Sequence, residues 1–111
     1  MQSKLTGLVK HYAFTLGADL VGVANIERFA NAPLMMSPQG IYPEARSVVV
    51  CALHHPDGCI EMGGREHPQK MGPYAVQGLM NSHLDHMSYE MARHIEDLGF
   101  NAIPIAASNI W

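Results

Sequence analysis

Tyr42–Pro56, YPEARSVVVCALHHP, read together with Leu16–Ala24, LGADLVGVA, decides the fold class of this chain. Each stretch is a short apolar run entered through a charged or turn-forming residue. Val21, Val23, Val48, Val49 and Val50 carry two heavy atoms on Cβ, which restricts their rotamers in a helix and suits a pleated strand. The runs lack strict apolar–polar alternation, so the strands are expected to be covered on both faces, as in a layered sheet.

Working outward, Leu5, Leu8, Val9, Tyr12, Ala13 and Leu16 repeat at helical spacing behind Ser3, a capping residue. Gly17 follows where a helix ends in a left-handed residue. Residues 25–45 hold Pro33, Pro38, Gly40 and Pro43 and read as a connection with one helical turn at Ile26–Ala30. Residues 54–73, HHPDGCIEMGGREHPQKMGP, contain four glycines, three prolines and three histidines without a hydrophobic period. They read as a long irregular connection of the kind that carries function. Pro73 opens the longest helix, whose apolar stripe is Met80, Leu84, Met87, Met91, Ile95 and Leu98. His86, Glu90 and Asp97 fall on its solvent side. Gly99 closes it, and Asn101–Ala106 reads as a third strand, in which Pro104 indicates an edge position or an irregular ladder. The order is helix–strand–strand–helix–strand, an α+β class in which strand two, the long helix and strand three form a β-α-β unit. Such a unit crosses over right-handed if its strands are parallel.

A chain of 111 residues supports one modest core. Three strands and two helices leave apolar strand faces without cover. The chain is therefore expected to be a partial domain over residues 1–111. It would complete its core with a second copy or with a C-terminal part beyond Trp111. Net charge is −3 with seven Lys and Arg, which supplies no basic footprint for a nucleic-acid backbone. No apolar run approaches the roughly 18 residues of a membrane span. The N-terminal MQSKLTGLVKHY lacks the apolar core of a signal peptide, and two cysteines make no disulfide framework. A reducing, cytoplasmic compartment is the expectation.

The segments GADLVGVA, PEARSVVVCALHHP and the Met-rich helix running into IEDLGFNAIPI resemble the N-terminal part of cobalamin- and iron–sulfur-dependent reductases. Two branches of that family are relevant, the epoxyqueuosine reductases and the reductive dehalogenases. The resemblance spans nearly all of this chain and the first half or less of a full member. It implies a partial nitroreductase-like three-layer arrangement, a cytosolic cobalamin-binding oxidoreductase, and 4Fe-4S clusters held by a C-terminal part. The two cysteines here cannot hold a cluster that needs four thiolates. Epoxyqueuosine reductases carry a Tyr-Ala-x-Gly-x-Asp-Tyr-His type segment, whereas Tyr74-Ala75 is followed here by Val76-Gln77-Gly78. The passage IEDLGFNAIPI is closer to the dehalogenase branch, whose twin-arginine signal is not found in MQSKLTGLVKHY.

A corrin ring is a large apolar plate fringed with amides, and it needs an apolar wall with a few polar groups. The 54–73 connection and the first turns of the long helix meet that description. They place His54, His55, Tyr74 and Asn81 as the cofactor-binding candidates; no residue is assigned as catalytic and none as a metal ligand. His54, His55, Cys59 and His67 crowd one loop, and His83, His86, Glu90 and His94 share one helix flank. Imidazole and thiolate suit zinc, nickel or copper, but neither C-x-x-C nor H-E-x-x-H is present. Cys51 reads as a buried small hydrophobe and Cys59 as a loop thiol. Three functions are thus in view. The foremost is the cofactor-binding portion of a cobalamin- and cluster-dependent reductase, inactive alone. The others are a non-catalytic binding or assembly module of the same fold and a small histidine-rich metal-binding protein.

Overall fold

A computed structural model describes residues 3–63, 65–66 and 72–107, with the side chains of 72–75 outside the described set. The described residues form a small α+β protein with three helices and one two-stranded antiparallel sheet. It divides into two compact units, residues 1–51 and 52–111.

In the first unit, helix α1 runs Ser3–Thr15 and buries Val9 and Ala13. These two are four residues apart and share one face. The helix ends in a Schellman motif: Gly17 has φ 103°, and the Ala18 N–H donates to the Ala13 carbonyl at 3.1 Å. Strand β1, Leu20–Asn25, follows directly and packs against α1. Its partner β2 is Ser47–Ala52. Just beyond both strand ends, the Ile26 N–H donates to the Arg46 carbonyl at 2.9 Å. That bond sets the register, with Asn25 opposite Ser47 and Leu20 opposite Ala52.

Side-chain alternation then sorts the sheet into two faces. Val21, Val23, Asn25, Ser47, Val49 and Cys51 share one, and Leu20, Gly22, Ala24, Val48, Val50 and Ala52 share the other. The second face contains no polar side chain, yet Leu20 is 69% and Val50 is 56% exposed. The expectation of strands covered on both faces is corrected here. With only two strands, each is also an edge strand, which is marginal as a free-standing sheet.

The connection between the strands holds three 3-10 turns where one was expected: Ile26–Phe29, Leu34–Met36 and Pro38–Gly40. The first is capped by Asn25, whose Oδ1 accepts from the Glu27 N–H at 3.0 Å. The buried Ser37 caps the third through its hydroxyl, which accepts from the Gln39 N–H at 3.3 Å.

In the second unit, the stretch after His55 is not irregular throughout. Helix α2 spans Asp57–Met62 and packs on the long helix. Pro56 precedes it, and Asp57 puts a carboxylate in its positive first turn, two start signals that the glycines around them mask. Helix α3, Gly72–Asp97, closes like α1: Gly99 has φ 100°, and the Phe100 N–H donates to the Ile95 carbonyl at 3.3 Å. Of the expected stripe, Met87 and Met91 are buried, whereas Met80, Leu84, Ile95 and Leu98 are half-buried. His86 and Asp97 are exposed as expected. Glu90 is half-buried, with Arg93 Nη1 3.9 Å away.

The third strand is the main correction, because Asn101–Ala106 joins no sheet. The β-α-β unit expected from the sequence is therefore not formed. The segment instead runs back along α3, held by side chains. The Ala102 N–H donates to Glu96 Oε2 at 3.4 Å, Ile105 to Ser88 Oγ at 3.2 Å and Ala107 to Asp85 Oδ1 at 2.6 Å. The lengths agree: from Glu96 back to Asp85 the helix rises roughly 16 Å, and an extended chain from Ala102 to Ala107 covers roughly 16 Å. Ile105 and Ala107 are two apart, so both N–H groups point towards α3. Between Ala102 and Ile105 the alternation is broken, since both donate to α3 though three residues apart, and Pro104 in that stretch has no N–H to offer a ladder.

Candidate functional site

The residues singled out from sequence fall in the second unit. His54 and His55 sit in the extended stretch that enters α2, and both are exposed. His54 Nε2 stands 3.2 Å from Asp57 Oδ1. A carboxylate on one ring nitrogen orients an imidazole and fixes its tautomer, as in many metal and cofactor sites. Asn81 is half-buried on α3. Tyr74 lies in the first turn of the same helix. The Tyr74 side chain is outside the described residues, as is His67. Apolar surface is plentiful in this unit, with Ile60 on α2 and Leu79 on α3 both exposed.

Two assignments change. Cys59 belongs to α2 rather than to a loop, and it is half-buried. Cys51 is half-buried in β2 rather than fully buried, and burial pushes its thiol pKa above the usual cysteine value. A raised pKa keeps the group as the weakly reactive thiol, in line with a packing role.

Among the described residues, no three His, Cys, Asp or Glu side chains stand close enough together to hold a metal ion. On the α3 flank, Glu90 turns to Arg93, whose guanidinium also lies 5.9 Å from the centre of the Tyr89 ring. That places the flank in ordinary surface pairing.

No protein-family model, curated protein or solved structure matches this chain.

One feature of the first unit escaped sequence reading. A cleft of about 180 Å³ lies between α1 and the β1–β2 pair, lined by Thr6, Lys10, Val23, Asn25 and Ser47. Its signal is visible only with the strand register known. Thr6 and Lys10 are one helical turn apart, and Asn25 and Ser47 are cross-strand neighbours, but nothing in the sequence joins the two pairs.

Proposed function

We propose that this chain is the cofactor-binding portion of a cytosolic cobalamin- and 4Fe-4S-dependent reductase, related to epoxyqueuosine reductases and reductive dehalogenases and of nitroreductase-like fold. The observation that carries the reading is the open sheet face. Two of the segments that carry the resemblance, GADLVGVA and PEARSVVV, pair with each other and leave an apolar face on which Leu20, Gly22 and Val50 are exposed and Ala24, Val48 and Ala52 half-buried. Such a surface belongs to a part that is finished by more polypeptide, either a second copy or the remainder of a longer reductase. The third segment, LGFNAIPI, supplies the Schellman turn and the extended strap along α3.

The donor set suits a corrin in chemical terms. Exposed imidazoles at His54 and His55, the carboxamide of Asn81 and the phenol of Tyr74 supply hydrogen-bonding groups. Ile60 and Leu79 supply exposed apolar surface. The cobalt cofactor, when bound, supplies the reducing chemistry. His54, His55, Tyr74 and Asn81 would hold it and hydrogen-bond its amide fringe, with Ile60 and Leu79 against its apolar face and Asp57, 3.2 Å from His54 Nε2, orienting that ring. Electrons would come from clusters held by other cysteines than the two in this sequence, so the chain alone would be catalytically silent.

A visible-absorbance titration with hydroxocobalamin tests this. Saturable spectral change, weakened in His54→Ala and in Asn81→Ala, is the expected result. Spectra that simply add, with no shift in the melting curve, would count against the proposal.

A second reading, a non-catalytic binding or assembly module, draws on Leu34, Met35 and Met36, which make up one 3-10 turn and are all exposed, Met35 91%. In that case the chain would associate without binding cobalamin.

A further inference from the structure

We propose that the cleft between α1 and the Asn25–Ser47 end of the sheet binds a small oxyanion, the phosphate or carboxylate group of a metabolite. A helix packed on a sheet normally fills its seam with apolar side chains, and Val9 and Ala13 do this for α1. Towards the N-terminal half of α1 the seam changes character: Thr6, Lys10, Asn25 and Ser47 line it, with Val23 as the apolar wall. No carboxylate is among these residues, so the cleft carries one positive charge and hydrogen-bond donors.

These donors are not used internally. Lys10 forms no ion pair with a described carboxylate, and the hydroxyls of Thr6 and Ser47 have no hydrogen bond with a described residue. Asn25 is oriented: its Oδ1 is occupied by the Glu27 N–H, which leaves the amide N–H₂ as the group it can offer. A lysine with hydroxyl and amide donors around it is complementary to an oxyanion, whose oxygens accept charge-assisted bonds. Size sets the class of ligand. About 180 Å³ is well below the roughly 300–1,000 Å³ of cofactor and drug sites. The cleft takes one anionic group, and the rest of any larger molecule would lie outside it. The candidate cobalamin residues all belong to the other unit.

The test is an amide chemical-shift titration of the full chain with inorganic phosphate, and separately with acetate, at ionic strength held constant with chloride. Saturable shifts confined to residues around Thr6, Lys10, Asn25 and Ser47 are expected with at least one of the two. The anion that saturates first distinguishes a phosphate from a carboxylate source. Lys10→Met should weaken binding by about tenfold or more, while Lys10→Arg keeps the charge and stays within about threefold. Lys4→Met, which removes an exposed lysine from the same helix, should leave it unchanged, and Ser47→Ala gives a second loss if Lys10→Met perturbs folding. Linear shifts that follow ionic strength would overturn the proposal. So would equal losses in Lys4→Met and Lys10→Met, or no shift with either anion.

Discussion

Met87 and Val9 are the largest fully buried side chains, and the residues around them show how little of this chain is sealed from water. A buried methionine truncated to alanine typically costs about 2–5 kcal/mol, so Met87→Ala should lower the denaturation midpoint most among changes on α3. Leu84 and Leu98 are only half-buried, and truncating either should cost roughly 1–2 kcal/mol, since less apolar area leaves water. His86→Ala, at an exposed position, should fall within about 0.5 kcal/mol of the parent. Urea unfolding of the four variants under one set of conditions checks the order. At Cys51 the sign of the pKa shift gives a second expectation. The folded protein holds the thiol proton more tightly than the unfolded chain does. Its contribution to stability is therefore full below the ordinary cysteine pKa and is lost as pH rises through the raised one. Near pH 8 Cys51 should alkylate more slowly in the folded protein than in urea, by mass spectrometry of the labelled peptide. Equal rates in the two states would contradict the burial argument.

The strap from Ala102 to Ala107 is the element with the most specific prediction. Asp85 and Ser88 hold it through backbone N–H groups, so Asp85→Ala should speed hydrogen exchange at Ala107 and Ile105 while amides in the middle of α3 keep their protection. If exchange at those two amides is unchanged, the side-chain ladder does not hold the segment. At the helix end, Gly99→Ala forces a Cβ into a left-handed conformation and should destabilise by roughly 1 kcal/mol. Elements of this kind differ in how openly the sequence announces them. Leu16-Gly17 and Leu98-Gly99 mark both helix ends, because a positive φ selects glycine locally. The valine runs mark both strands for the same local reason. Asn101–Ala106 has strand composition, but its partner is a row of acceptors on a helix, and no local pattern distinguishes that from a sheet neighbour. Helix α2 was hidden because its start signals, Pro56 and Asp57, lie among glycines that suggest a loop.

For the whole molecule, the exposed face of Leu20 and Val50 makes an association prediction. The chain should self-associate with rising concentration in light scattering, or do so until the rest of a longer reductase is supplied. Val50→Lys should suppress this by placing a charge on the face. A parent chain that stays monomeric at all concentrations would remove the basis for an open core. Of the candidate site, the sequence placed His54 and His55 in the connection after the second strand and Asn81 on the long helix. It did not show the Asp57 partner of His54, because that contact depends on the helix start at Asp57. The most direct test of the cofactor assignment is hydrogen exchange of the chain with and without hydroxocobalamin. The account predicts slowed exchange in residues 52–62 and in the first half of α3, with α1 unchanged. No difference anywhere, or protection confined to α1 and the sheet, would contradict it.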